Sequence, residues 1–540
     1  MVSDRIPLAV LLFALGFGAG CGMNDATSAD GSYAPNNPGS SSSAGAANGP
    51  PLTVGISGAG QLPPESELDQ SFRAPVATGR LLWSANPVSG RVALIDAQTL
   101  AVRMTNGGFG PTYLAAVPSE AGTDSAIVIN VGGHDASWFK ATATEISSVT
   151  IATHAGANAW SVSAEGKYAI AWTDATHLDG GAPDTLNGYS ELTVIDLSAS
   201  PPKSTRLSVG FRPSQVVFDA ASEHAFAVVD EGISVLQLGK NPALSALLTV
   251  PSAGLSAHVR DVNIAPDGSF AVVRVDGSAQ IEIIDLSSDT RQVLTLESNL
   301  TDLDLSADGK TATAVLGDAT PPVVVSFAVP TPGVEPAQFE RATIPGELVR
   351  SVTLAPSDQL ALLYANAVPS SHVTLLDTAP GDHHFGFRTV DVQGAVRGIY
   401  VAPDSGTAIT FQTPPAGSKK KGLFSIVPTE AVRSPRIVGT DATPTEIAFS
   451  DADLGKALVT VHDSSSTERG VYVIGLANLV QNFVKLASEP LPGATGIVPL
   501  AKRGFVAQKH PEGRITFIDL ETGAAQTLSG FEIAARVVTR

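Results

Sequence analysis

Across residues 260–296 the apolar positions fall two apart or in short runs, and turn residues separate the runs. The segments read DVNI, then the turn Pro266-Asp267-Gly268, then FAVVRV, IEIIDL and RQVLTL. A period of two in runs this short predicts strands, not helices. Four such runs joined by tight turns predict an antiparallel four-stranded meander. The same cassette recurs along most of the chain. Its turns are clear at 163–166, 265–268, 306–309, 355–358 and 402–406, weaker at 219–222, 450–453 and 501–504, and degenerate at 118–122. Their spacing is roughly 41–56 residues, the range of β-propeller blades.

Each turn is followed by a small apolar strand (YAIAW, AFAVV, TATAVL, TAITF, KALVTV). A third strand then follows and often ends in Asp (VALIDA, LTVIDL, VTLLDT, ITFIDL). Continuous Ala/Val/Ile runs without polar alternation imply burial on both faces, as between stacked blades. The expected fold is all-β: a single closed β-propeller of four-stranded antiparallel blades. Nine to ten units are counted. Seven or eight blades fit if some units are merged insertions, and two smaller rings stay open, although no linker interrupts the repeat. The first unit starts at Leu81-Leu82-Trp83 with no inner strand before it, and residues 531–538 (FEIAARVV) read as a lone inner strand. The last strand is therefore expected to close the first blade, which would remove two exposed sheet edges.

Two turns, Ala265-Pro266-Asp267-Gly268-Ser269 and Ser306-Ala307-Asp308-Gly309-Lys310, resemble the S-P-D-G-K turn of the YVTN-type and TolB-type (WD-like) propeller repeats of bacterial envelope proteins. Val209-Gly210-Phe211-Arg212-Pro213-Ser214 resembles their lead-in to the inner strand. The resemblance covers most of 80–540. It implies the fold and is nearly silent on function.

The amino terminus has a different character. Arg5 precedes the apolar run LAVLLFALGFGA, too short for a comfortable membrane span and suited to a secretory signal peptide. The run ends Gly18-Ala19-Gly20-Cys21, and Cys21 is the chain's single cysteine. Small residues directly before a cysteine resemble the bacterial lipobox, with Gly18 standing where the pattern prefers Leu. The resemblance implies cleavage after residue 20, a lipid on Cys21 and, with Gly22 rather than Asp following, an outer-membrane location. Residues 21–75 are rich in Ser, Gly, Ala, Asn and Pro and cannot bury enough apolar area to offset their ordering entropy. They are expected to be a disordered tether reaching about 40 Å, at about 5–6 Å × √n for about fifty residues. The propeller is then expected to span 76–540.

A net charge of -19 disfavours nucleic acid and anionic lipid surfaces as partners. A single cysteine rules out an intrachain disulfide, so the fold must rest on its core. Superposing the units brings Thr112, Asn158, Ser214, Arg260, Thr301, Arg350, Arg397, Thr445 and Gly496 to one position at the start of the inner strand. In propellers this end lies near the mouth of the axial channel. Arg260, Arg350 and Arg397 there would either converge on an anion or pair with acids such as Asp261 and Asp302 and cement the blades.

Other polar stretches carry less. Asp174, His177, Asp179 and Asp184 lie in an insertion that matches no metal loop. The adjacent His383 and His384 would point to opposite faces of a strand. His134, Asp135 and Ser137 are neighbours in sequence, which rarely makes a triad. Residues 301–309 are expected to be a strand entering a turn, not a calcium loop. Lys419-Lys420-Lys421 reads as a solvated hairpin tip. With no phosphate loop and no nucleophile elbow, the expectation is a monomeric, non-enzymatic lipoprotein without cofactor or metal, binding envelope proteins or cell-wall components. The alternative is a channel-mouth ligand site or a lactonase-like hydrolase.

Overall fold

The computed structural model describes residues 74–175, 186–250, 260–275, 277–334, 337–378, 386–463 and 468–531. Among them are ten four-stranded antiparallel sheets arranged as a β-propeller. Each sheet is made of four strands consecutive in the chain, numbered here as blades 1 to 10: 76–106, 111–152, 159–208, 215–249, 260–295, 302–343, 351–391, 395–440, 443–485 and 490–529. The count meets the upper end of the sequence estimate. The insertions that would have merged units do not exist as such, because every counted turn opens a complete sheet.

Burial follows strand position. The second strand of blade 3, Tyr168–Trp172, is buried throughout, and so is that of blade 2 beyond its first residue. Fourth strands such as Lys203–Ser208 are mostly exposed. The core is accordingly not one mass but a set of slabs, one in each seam between neighbouring blades. Leu81, Trp83 and Leu94 of blade 1 meet Val128 and Phe139 of blade 2. Val272, Ile281 and Ile283 of blade 5 meet Leu303, Ala314 and Phe327 of blade 6. The same pattern runs through every other seam.

The aspartate that ends many third strands has a local task. Asp96, Asp196, Asp285 and Asp519 each accept backbone N–H bonds from residues two and three positions on, forming the turn into the fourth strand. Burial pushes the Asp285 carboxyl up, but the hydrogen bonds from Ser287 and Ser288 outweigh it and hold the group below the usual carboxylate range. The expected strand-then-turn at 301–309 is present as Asp302–Leu305 followed by a turn in which Gly309 has φ 74°.

Closure differs from the sequence expectation. The inner strand of blade 1 is Val76–Ala77, from the start of the propeller, with Val76 opposite Trp83 and Ala77 opposite Leu82. At two residues, bounded by Pro75 and by Thr78-Gly79, it is too short to register as a period. The proposed closing strand falls almost wholly on 532–540, outside the described residues. Phe531 is described and is 1% exposed. It packs in the seam of blades 10 and 1 among Leu82, Ala93, Ile95, Phe505, Ile515 and Phe517. Gly513 makes room for it: a Cβ there would lie 2.2 Å from the Phe531 ring, and φ at this residue is 78°. The Leu500 N–H donates to the Gly79 carbonyl at 3.0 Å across the same seam. The ring thus closes by packing between two complete blades. Replacing Phe531 by Ala should lower unfolding stability by about 3–5 kcal/mol, the cost of emptying a phenyl site in a packed core. An unchanged denaturation midpoint in urea would show that the residue is no plug.

Candidate functional site

The superposed register turns out to be a stitching position. The backbone N–H of Asn158, Ser214, Thr301 and Arg350 donates to the second strand of the same blade, at Trp172, Val228, Val315 and Tyr364. At Thr112, Arg397 and Thr445 the pairing skips a residue, so each is the extra residue of a β-bulge. Bulges of this kind re-aim a side chain.

The three arginines have separate surroundings. Arg350 Nη1 donates to Asp318 Oδ1 of blade 6 at 2.8 Å. Arg397 Nη2 donates to the Pro444 carbonyl of blade 9 at 2.9 Å. Arg260 opens the inner strand Arg260–Ile264, and its side chain lies outside the described ones. The other polar stretches are also placed. Asp174 accepts from and donates to Asn158, while 176–185 and 379–385, with His177, Asp179, Asp184, His383 and His384, lie outside the described residues, as does Cys21. Asp135 is held by Asn130 and Ser137 by Gly107 and Asn130, so neither meets His134 as a triad. Lys420 and Lys421 pair with Asp441 and Asp463. Among the described residues no group of three or more His, Cys, Asp or Glu is placed to hold a metal.

A cluster of charges lies elsewhere among the described residues, where blades 5, 6 and 7 meet. Arg274, in the second strand of blade 5 and 8% exposed, pairs with Asp261 of its own blade and stands 3.6 Å from Asp302 of blade 6. Asp302 and Asp304 alternate with Leu303 and Leu305 along one inner strand, so the leucines face blade 5 and the carboxylates the other side. Asp302 Oδ2 accepts the Val352 N–H at 2.9 Å and Asp304 Oδ2 the Leu354 N–H at 3.0 Å, both on the inner strand of blade 7. Burial raises the Asp302 carboxyl above its ordinary range, against the Val352 hydrogen bond and the Arg274 charge. Burial, and then the charge of Asp302, push Asp304 up to about 7. Such a group is able to exchange a proton near neutrality.

Sequence reasoning also passed over two other groups. Glu446 of blade 9 accepts N–H bonds from Gly493 at 2.6 Å and Thr495 at 3.2 Å in blade 10. His154 is 1% exposed, with its two ring nitrogens 3.0 Å from Thr193 Oγ1 and 3.2 Å from Thr173 Oγ1. Burial, then the Arg206 charge, lower it to about 4. In the folded ring it is therefore neutral where the unfolded chain would bind a proton. Its contribution to stability is complete above about pH 6.5 and declines as pH falls towards 4, by about 3 kcal/mol in all. Urea titrations from pH 7 to 4 should show this decline as a growing difference between the native protein and His154→Gln, whose stabilities are compared at each pH; a difference that stays constant across the range would refute the assignment. Asp302→Ala, which strands the Val352 N–H and leaves Arg274 with one acid fewer, should cost about 3 kcal/mol at pH 7 by the same measurement.

No family model and no curated protein matches the chain. Solved structures do. The chain is similar to AztD from Citrobacter koseri at 14% identity and a TM-score of 0.39, covering 73% of this chain and 95% of that one. It is similar to a eukaryotic initiation factor at 14% identity and a TM-score of 0.43, covering 70% and 90%. It is also similar to the dihydro-heme d1 dehydrogenase NirN in complex with DHE, at 12% identity and a TM-score of 0.40, covering 64% and 72%. These likenesses concern the β-propeller fold alone.

Proposed function

We propose that the chain is a membrane-tethered β-propeller lipoprotein, a non-enzymatic protein-binding or scaffold module of the bacterial cell envelope. One observation carries the non-enzymatic part. Several polar side chains of the inner strands, where a propeller would hold a substrate, are engaged in joining blades: Asp302 and Asp304 to blade 7, Arg397 to blade 9, Glu446 to blade 10, and Ser161 to the Val216 carbonyl of blade 4. Contact with a partner is left to the loops. Val88 and Phe109 are 76% and 75% exposed there, in two loops joined by the Gly107 N–H bond to the Gly90 carbonyl. Exposed apolar residues clustered on loops suit association more than catalysis. The tethering part rests on Cys21 and the segment that follows it.

Expression of the full chain in a bacterium with an alkyne fatty acid should label the protein and place it in the membrane fraction. Cys21→Ser should lose the label and release the protein to the soluble fraction. Labelling that survives the substitution would overturn the lipoprotein reading. One stoichiometric divalent ion in the purified protein would overturn the non-enzymatic reading while leaving the tether intact.

A further inference from the structure

The fourth strand of each blade ends its sheet and leaves a row of backbone groups with no strand beyond it. Proteins blunt such edges with charge, bulges or brevity. Seven of the ten fourth strands carry Lys, Arg, Asp or Glu. Of the other three, that of blade 10 has only five residues, and in that of blade 4 the pairing skips Ser245. The fourth strand of blade 2, Ile146–Ala152, has none of these guards. It has seven residues, no charge, no proline and an unbroken register against Asp135–Ala141. We propose that this edge pairs with the same edge of a second copy of the chain, antiparallel about a two-fold axis at Val149, in place of the monomer that the sequence suggests.

The hydrogen-bond pattern of blade 2 fixes the register. At one end of the strand the Thr142 N–H donates to the Glu145 carbonyl, and at the other the Thr153 N–H donates to the His134 carbonyl. Along an antiparallel strand, successive residues direct their backbone groups to opposite edges. Ser147, Val149 and Ile151 therefore bond to the third strand, while Ile146, Ser148, Thr150 and Ala152 direct N–H and C=O outward. No neighbouring blade meets those outward groups with a backbone bond among the described residues. A second copy satisfies them when outward residues face outward residues. The symmetric solution places Ile146 opposite Ala152 and Ser148 opposite Thr150, with Val149 facing its own copy. Each of the four outward residues then makes a doubly bonded pair, about eight N–H···O bonds in all.

The side chains suit the same register. Ser147–Thr150 are exposed, and Val149 is 39% exposed. Two Val149 side chains would meet at the axis, in a pair without hydrogen bonds, where side chains approach most closely. Arg103 of blade 1 donates to the Thr142 carbonyl at 2.8 Å and Arg206 of blade 3 to the Thr153 carbonyl, so both ends of the edge are held in place. Odd-numbered residues face blade 3, as the packing of Ile151 with Ala169 and Ile195 shows. Glu145 of one copy then stands opposite Thr153 of the other, on the face where Arg206 lies. Glu145 and Arg206 are exposed and take part in no ion pair among the described residues. The axis brings this acid and this base together twice. Two chains of net charge -19 repel overall, but this strand is neutral and has complementary charges at its ends.

The test is a cross-link read by position. In the full chain with Cys21→Ser, which removes the only native thiol, Val149→Cys and Ser147→Cys are oxidised separately with copper phenanthroline. The protein is held at about 0.2 mM, because a single strand ladder is at the small end of stable interfaces. At the axis the two Val149 Cα atoms would lie about 4.5 Å apart, within disulfide reach, whereas the two Ser147 Cα atoms would lie roughly 14 Å apart. Val149→Cys should give a covalent dimer, and Ser147→Cys about tenfold less. By light scattering the Cys21→Ser chain should show a dimer. Val149→Lys, which opposes two ammonium groups at an exposed site, should raise its dissociation constant roughly tenfold or more with the denaturation midpoint unchanged. A monomeric mass at this concentration, equal cross-linking at the two positions, or an unchanged dissociation constant in Val149→Lys overturns the proposal. So does a Val149→Cys adduct with a different protein in place of the dimer.

Discussion

The inner strand of a propeller blade has no fifth strand to pair with. Its outward edge presents backbone N–H and C=O groups inside the molecule, where leaving them unbonded is costly. In this ring, side chains of the adjacent blade answer part of that demand. Asp302 and Asp304 serve blade 7, Glu446 serves blade 10, Thr301 serves the Arg350 carbonyl, and Trp160 donates back to the Tyr113 carbonyl of blade 2. These bonds place the inner strands relative to one another, and the apolar slabs between blades fill in behind them. The side chains that make these bonds thus hold neighbouring blades together. Any ligand chemistry would have to be built from what they leave over.

How much of this was legible in the sequence depended on how far apart the partners lie. Strands and turns are local, and IEIIDL followed by Ser287 and Ser288 already holds every atom of the turn that Asp285 makes. The inner-strand bonds are not local. Asp302 and Val352 are separated by 50 residues, and only the ring geometry makes them neighbours. The alternation of Asp302 and Asp304 with two leucines was readable as a strand, but nothing nearby named the edge those carboxylates would serve. Arg274 was hidden for another reason: it sits at the fifth position of the apolar strand FAVVRV, where the pattern reads as core. Val76–Ala77 escaped because two residues cannot show a period of two.

The three arginines illustrate the same division. Their common register was visible, and it does mark one structural level of the ring. Shared level did not mean shared target. Arg350 turns to an acid in a loop of blade 6, whereas Arg397, on a bulge, turns to a carbonyl of blade 9. A bulge inserts one residue and swings the side chain, so repeats that superpose in sequence diverge in the direction they aim.

Every one of the ten blades closes on itself, with no strand borrowed from the far end of the chain among the described residues. That makes the blade a heritable unit. A duplication or loss of one contiguous stretch of gene would add or remove a whole sheet together with one seam, and the remaining seams would need only a small change of angle. Rings in which one blade is assembled from both termini cannot grow so simply at that point. A ring of ten such self-contained sheets is the kind of assembly that serial copying of one unit would build.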